Sequence, residues 1–130
     1  SYQVRAQVDL ITLINAIEAF HTDHGAVPHP SAPQPMTSTA PLLDTLRGVN
    51  PAENPKNVVY LAHPSSDQRD PWGRPYFITL DTDNDGSIDD PLTGRPLPGR
   101  AIAWSAGPDG KMNLAIPTAP ENRDNLYSWR

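Results

Sequence analysis

The first 24 residues carry apolar side chains with the period of an α-helix. The apolar positions recur at steps of three and four: Val4, Val8, Ile11, Ile14 and Ile17, widened by Leu10, Leu13 and Phe20. Gly25 supplies the left-handed residue that commonly ends a helix, and Pro28 prevents the helix from resuming. The pattern therefore predicts one long amphipathic helix over residues 2–24.

The start of this helix leaves two interpretations open. No capping residue with its own entry turn is evident at residues 1–3, and the periodic pattern is under way by Val4. The helix either begins at the edge of the domain or is the second half of a longer helix.

The middle of the chain is poor in regular patterns. Residues 27–41 contain five prolines among serine, threonine and alanine, which predicts an extended surface loop and not a packed element. A short helix is expected at about 40–47, ended by Gly48, and its core residues are Leu42, Leu43 and Leu46. Residues 58–61 form a brief β-prone run.

The second half has the alternation of a small antiparallel sheet. Residues 75–80 place Tyr76, Ile78 and Leu80 on one face, with Phe77 and Thr79 on the other. Residues 101–105 predict a second strand, and 112–116 are a candidate third. Apolar and aromatic groups at 126–129 should dock onto this sheet.

Composition narrows the fold class. A chain of 130 residues suffices for one hydrophobic core, and its 16 prolines exclude a largely helical protein. We predict a single α+β domain over residues 1–130 with a loop-rich C-terminal half. The helix takes 1–25, the proline-rich loop and short helix take 26–57, and the sheet with its acidic loops takes 58–130.

Charge and cysteine content exclude several classes of function. The net charge is −5 and no basic block occurs, which argues against nucleic acid or an anionic membrane surface as partner. The absence of cysteine excludes disulfides, thiolate metal sites and cysteine nucleophiles, without fixing the compartment. No apolar run reaches the length of a membrane helix.

The segment 81–89 carries the clearest chemistry. Acidic or polar residues stand at every second position, and Gly86 permits a sharp turn, so that oxygen ligands converge: Asp81, Asp83, Asp85, Ser87 and Asp89. Oxygen ligands without His or Cys select calcium over zinc or copper. The loop departs from an EF-hand because Leu92 replaces the glutamate at position 12, Pro91 lies where a helix would begin and a strand precedes the loop.

An acidic turn without an ion is the alternative, because Asp, Asn and Gly favour turns by themselves. Four carboxylates within nine residues repel one another, however, and this repulsion favours ion binding. Asp90 is a candidate substitute ligand.

Four segments, taken in order, carry a family resemblance. The helix ends in Asp-His-Gly-Ala-Val-Pro at 23–28; Asp-Pro-Trp-Gly-Arg-Pro-Tyr occupies 70–76, Ser-Ala-Gly-Pro-Asp-Gly occupies 105–110, and Asn-Arg-Asp-Asn-Leu-Tyr-Ser-Trp occupies 122–129. The chain thereby resembles the major pseudopilins of type II secretion systems and related type IV pilin-like proteins.

The resemblance implies a pilin-like fold and a role in assembly without catalysis. Such proteins have a long N-terminal helix whose first half sits in the bacterial inner membrane, with the globular domain in the periplasm. After processing by a prepilin peptidase, which leaves a methylated N-terminus, that half packs into the core of a helical filament with other pilin-like subunits and the secretion machinery. The second half of the helix packs on a small antiparallel sheet, and the filament can extend outside the cell.

The resemblance also implies a calcium ion that pins the loops after the sheet. The matching residues here are Asp109 and Asp124, with nearby backbone carbonyls as co-ligands. The glycine-rich stretch usual between the last two motifs is replaced by residues 112–120, and the loop 27–41 is longer than in a minimal member. The acidic loop 81–90 is an additional site, so the sequence leaves open whether one ion binds or two.

Other functions have weaker support. The main alternative is a calcium-binding adhesion or carbohydrate-binding module of a larger extracellular protein. A periplasmic enzyme using His21 and His24 is more remote, because no third ligand completes a known spacing and both are expected on the surface near the helix end. No nucleophile turn or phosphate loop is present. We expect Asp70 to accept backbone hydrogen bonds in a turn and Trp72 to pack on the sheet. Trp104 and Trp129 are expected to pack in the core or between subunits.

Overall fold

One long helix, one short helix and two small antiparallel sheets are the regular elements of residues 1–112 and 125–129, the part of the chain described by the computed structural model. The fold class is α+β, as predicted. The elements are α1 (Tyr2–His24), β1 (Met36–Thr37), α2 (Leu42–Leu46), β2 (Phe77–Leu80), β3 (Ser87–Asp89), β4 (Pro96–Pro98), β5 (Ala101–Ser105) and β6 (Leu126–Tyr127). The larger sheet has the order β1-β2-β5-β6, and β3 pairs with β4.

The helix α1 has the predicted bounds, but only part of the predicted stripe, including Leu10, Leu13, Ile17 and Phe20, is buried. The residues that enter the core are Ala6, Leu10, Leu13, Ala16, Ile17 and Phe20. Val4, Val8 and Ile11 are 63%, 56% and 54% exposed. Apolar residues line both sides of α1, and the sheet covers only one side, the side on which alanines allow close approach of the backbones.

Both ends of α1 are capped. The Ser1 hydroxyl accepts a hydrogen bond from the Val4 amide at 3.2 Å, so the expectation of an uncapped start was wrong. Gly25 ends the helix with a left-handed φ of 76°, as predicted, and its amide donates to the His21 carbonyl at 2.7 Å. None of the helices in the described ranges has the length and hydrophobicity needed to cross a bilayer.

The central strand pair, β2 and β5, divides the core into two clusters. Ile78 lies opposite Ala103 in this antiparallel pairing. Tyr76, Ile78 and Leu80 face α1 and are buried, while Phe77 and Thr79 face the other side and are half-buried, as the alternation predicted. The Tyr76 hydroxyl also donates to the Asp9 carboxylate at 2.7 Å, which joins this edge of the sheet to α1.

The far face of the sheet carries its own apolar cluster. Its buried members are Ile88, Leu92, Ile102, Trp104 and Tyr127. Trp129 packs edge-on against Trp104, with ring centroids 6.1 Å apart, and its indole nitrogen donates to Asp90. The docking of the C-terminal segment and the core positions of these two tryptophans are thus confirmed.

Two expectations for the middle of the chain were wrong. Residues 58–61 form no strand, because the amides of Tyr60 and Leu61 both donate to the Leu46 carbonyl and the segment packs along α2 instead of a sheet. The loop 27–41 contributes β1, which pairs with β2, and it buries Val27 and Ser38. Its prolines flank these contacts without preventing them.

Two other predictions concern the short helix and the candidate strand 112–116. The short helix α2 is present with its three leucines buried, as expected. In the candidate strand 112–116, Met112 belongs to no strand, and residues 113–116 lie outside the described part of the chain.

The buried side chain of Asn54 fastens the segment after α2. Its amide nitrogen donates to the carbonyls of Thr45 (2.9 Å) and Val58 (2.8 Å), and its oxygen accepts from the Val58 amide. We expect Asn54→Ala to lower the free energy of unfolding by about 2–3 kcal/mol, because buried backbone groups lose their partners. Urea denaturation measures this. The control Asn15→Ala, at an exposed position of α1, should change stability little; an equal loss in both variants would contradict the assigned role of Asn54.

Candidate metal centre

The acidic loop connects β2 to β3 across six residues, 81–86. Asp81 directly follows β2, and its amide donates to the Arg100 carbonyl at 2.8 Å, just before β5 begins. Asn84 and Gly86 adopt left-handed conformations, with φ of 57° and 80°. These two residues curl the backbone so that the side chains of alternate residues point toward one another.

Three carboxylates converge inside this curl. One oxygen each from Asp81, Asp83 and Asp85 lies within 4.8 Å of the other two, which is close enough for all three to contact a single cation. Asp81 is buried, whereas Asp83 and Asp85 are exposed. The arrangement offers hard oxygen ligands, and its geometry does not by itself distinguish calcium from other cations of that kind.

Asp81 is the structural anchor of the loop. Its Oδ1 accepts from the Asp85 amide at 3.1 Å, and its Oδ2 accepts from the Gly86 amide at 2.9 Å and from Arg100 Nη1 at 2.8 Å. Burial by itself raises the pKa of the Asp81 carboxyl. The hydrogen bonds from Arg100 and the backbone amides outweigh burial, so that this pKa lies below its ordinary value.

The pKa of Asp83 is shifted in the opposite direction. The neighbouring Asp81 carboxylate, followed by burial and the Asp85 carboxylate, raises the pKa of Asp83 above its ordinary value. The ionised form of Asp83 is therefore disfavoured by its neighbours. A bound cation would remove this repulsion, because it interacts favourably with all three carboxylates.

All five residues predicted in the loop line one cleft of about 330 Å³: Asp81, Asp83, Asp85, Ser87 and Asp89. Asp89, at the end of β3, is exposed and lies outside the group of three converging carboxylates. Gln34 also lines the cleft, held by a hydrogen bond from the Leu80 amide to its Oε1 at 3.0 Å. Nothing in the sequence indicated that Gln34 lies near this loop. The pairing of β1 with β2 brings it there.

Among the described residues, the other suggested ligands, Asp109 and Asp90, do not line the cleft. Asp109 is exposed, and its carboxylate accepts from the Lys111 amide at 3.0 Å within its own turn. Asp124 lies outside the described residues, so an Asp109–Asp124 site stays a prediction. Asp90, the suggested substitute ligand, does not line the cleft: its Oδ1 accepts from the Leu92 and Thr93 amides and closes a separate turn.

Arg100 and Asn84 were not predicted as site residues. Arg100 Nη1 bridges the Asp81 carboxylate and Asn84 Oδ1, at 2.8 and 3.1 Å. Asn84 in turn reaches α1, where its Oδ1 lies 2.7 Å from His21 Nε2 and its Nδ2 donates to the Gly25 carbonyl. A polar residue between two aspartates was visible in the sequence, but its contact with a helix end 59 positions away was not.

The two histidines of α1 form no joint site. His21 contacts Asn84, whereas the His24 ring stacks on Phe20 with centroids 4.0 Å apart and its Nε2 lies 3.3 Å from the Tyr60 hydroxyl. Among the described residues, neither histidine belongs to a metal-ligand cluster.

The turn at 70–73 has the expected structural role. Asp70 Oδ1 accepts from the amides of Trp72 and Arg74, and its Oδ2 accepts from the Ser105 hydroxyl at 2.8 Å. The Trp72 ring packs at the edge of the main core and meets Tyr2 edge-on. The turn is therefore tied to the end of β5 through Ser105.

Comparisons with protein-family models, with curated proteins and with solved structures find no match to this chain.

The opposite pKa shifts of Asp81 and Asp83 predict opposite effects of neutralising them in a chelator-containing buffer. Because its folded-state pKa is lowered, Asp81 adds stability that is fully present above the unfolded value of 3.8 and is lost as pH falls through the folded pKa. Asp81→Asn should therefore cost about 2–3 kcal/mol at pH 7, and the deficit should shrink at about pH 3. Denaturant unfolding at both pH values measures this.

Asp83→Asn is the matched control. The folded-state pKa of Asp83 is raised, so proton binding stabilises the fold at low pH and this contribution is lost as pH rises. At pH 7 the Asn variant should equal or exceed the wild type in stability. A loss like that of Asp81→Asn would contradict the assigned electrostatics.

Proposed function

We propose that this chain is a non-catalytic structural subunit of a helical filament, of the type II secretion pseudopilin or type IV pilin-like kind, and that calcium stabilises its acidic loop. The ordered segments that end at residues 28, 76, 110 and 129 support this family. An N-terminal helix packed on a small antiparallel sheet is compatible with a pilin-like fold.

The main structural support for this proposal is a second, solvent-facing side of α1. An uncharged stripe runs along the whole helix opposite its buried face, and every member is exposed: Val4, Val8, Ile11, Asn15, Ala19 and Thr22. We call this set the outer stripe. Its spacing of three and four residues keeps its members in one row at 3.6 residues per turn. The helix thus has one face for its own core and another with no partner in the described structure.

The composition of the outer stripe fits helix–helix packing. Val4, Val8 and Ile11 are spaced as i, i+4 and i+7, the anchors with which a helix enters a groove on another protein. Large contiguous apolar patches on the surface of a folded domain mark interaction sites. We propose that the outer stripe contacts other subunits in the filament.

The proposed calcium ion acts as a clamp. Asp81 is already bound into the fold by two backbone amides and Arg100, while Asp83 and Asp85 face the cleft. An ion that joins the exposed pair to Asp81 would fix the link between β2 and β3. Such an ion contributes to stability because it binds the folded loop better than the unfolded chain.

The three tryptophans give the carbohydrate-binding alternative no support. Sugars stack on exposed ring faces, whereas Trp104 is buried and stacks on Phe77 with centroids 5.8 Å apart. Trp72 and Trp129 are half-buried in edge contacts with other rings.

The family implies a cellular context, which we include in the proposed function. The full-length protein would be held in the bacterial inner membrane by a first helical half, with this domain in the periplasm, or would reach the cell exterior within the filament. Its partners would be copies of itself, other pilin-like subunits and the secretion machinery.

The outer stripe predicts an assembly defect without a folding defect. We expect Val8→Lys in the full-length protein to reduce filament assembly by about tenfold or more, because a charge enters an apolar contact, while the domain keeps its melting temperature. Sedimentation and cysteine cross-linking measure assembly. The matched control is Val59→Lys, at a position of similar exposure (61% against 56%) outside α1 and its outer stripe. Equal loss in both variants, or none in Val8→Lys, would refute the role of the stripe.

Calcium binding has its own test. Relative to chelator, calcium at about 100 times its dissociation constant should raise Tm by about 5–10 °C. The combined change Asp83→Asn and Asp85→Asn should abolish this rise, and Asp109→Asn should keep it. Loss of the rise in Asp109→Asn alone would move the ion to the C-terminal loops, and an unchanged Tm at millimolar calcium would reject both sites.

A further inference from the structure

A polar seam joins the acidic loop to the C-terminal end of α1. On the helix side it consists of Glu18, His21 and Gly25, which are spaced by three and four residues and so share one face. On the other side stand Asn84, from the loop, and Arg100, from the residue before β5. The loop therefore contacts the last two turns of the helix through very few side chains.

Asn84 provides the direct link. Its side-chain nitrogen donates to the Gly25 carbonyl at 3.1 Å, at the end of the helix where carbonyls lack helical partners. Its oxygen lies 2.7 Å from His21 Nε2 and also accepts from Arg100. The residue holds this position with a left-handed backbone, φ 57°, which asparagine tolerates better than most residues.

Arg100 provides the second link. Its guanidinium binds Asp81 and Asn84 within the loop, while its backbone amide donates to Glu18 Oε1 at 3.0 Å. The pair Asp81–Arg100 has a fully buried carboxylate, so its geometry is held firmly by the surrounding fold. A shift of the Asp81 carboxylate would therefore move Arg100, and with it the hydrogen bond from the Arg100 amide to Glu18 on α1.

We propose that loop 81–86 is a latch on the C-terminal end of α1, through which the repulsion among the loop's three carboxylates governs how often the last turn of the helix opens. Helix ends open locally at lower free-energy cost than the core, so their opening responds to a few contacts. The latch needs no ion. Its consequence for assembly rests on the proposed function, because the same helix carries the outer stripe.

Hydrogen exchange of the whole protein in chelator tests the link. Asn84→Gly removes the side chain but keeps the left-handed backbone free of strain. Amides 21–25 should exchange about fivefold faster, because the helix end loses two hydrogen bonds. The matched control is Asn57→Gly, an exposed asparagine with nearly the same φ, 54°, in another loop. Equal exchange at 21–25 in the two variants would overturn the latch.

A double-mutant cycle tests whether the repulsion among the loop's carboxylates affects the C-terminal end of α1 through Asn84. Within the described ranges, α1 is bonded to this loop through Asn84 and not through Asp83, so an effect of Asp83 must pass through the loop. Asp83→Asn should slow exchange at 21–25 about twofold in the wild type and by clearly less in Asn84→Gly, where only the link through Arg100 and Glu18 remains. The same slowing in both backgrounds would refute the coupling.

An added-calcium arm separates the latch from the proposed calcium site. Slower exchange at 21–25 with calcium, lost in Asn84→Gly, supports both. If exchange in chelator follows the expectation but calcium has no effect, the calcium site is rejected and the latch is retained.

Discussion

The packing of α1 against β5 is the contact on which the rest of the structure depends. β5 is buried along its whole length, with Ala101 and Ala103 toward the helix and Ile102 and Trp104 toward the second cluster. Small residues on the helix side let the two backbones approach closely, and large ones fill the other face. Since β5 pairs with both β2 and β6, it also fixes where the acidic loop begins and where the C-terminal segment docks.

The acidic loop inherits its shape from that arrangement. Arg100 stands immediately before β5, so the strand pairing that places Ala101 opposite Leu80 also places the guanidinium beside Asp81. One carboxylate is thereby neutralised and buried, and the other two are left crowded and exposed. The proposed calcium ion would therefore act on the two crowded, exposed carboxylates, while the third is already held by the fold.

The two sides of α1 connect structure to the proposed role. The inner side is committed to the core, while the outer stripe is uncharged and has no partner in the described chain. In a filament subunit, such a helix serves folding and assembly at once. Contacts at its C-terminal end join Asn84 and Arg100 to Glu18, His21 and Gly25. Through these contacts the proposed latch would link the stability of the loop to that of α1.

The sequence by itself determined the local features: the bounds of α1, its glycine stop, the alternation in β2, and the convergence of Asp81, Asp83 and Asp85, because each depends on backbone periodicity or on turn residues a few positions apart. It could not tell which side of α1 is buried, since apolar residues line both sides and only the position of β5 selects one. Residues 58–61 have strand propensity but pack along α2, because pairing needs a neighbour that propensity does not supply. The contacts of Gln34, Asn84 and Arg100 could not be predicted from the sequence either. Contacts between residues tens of positions apart arise only when tertiary packing brings their elements together.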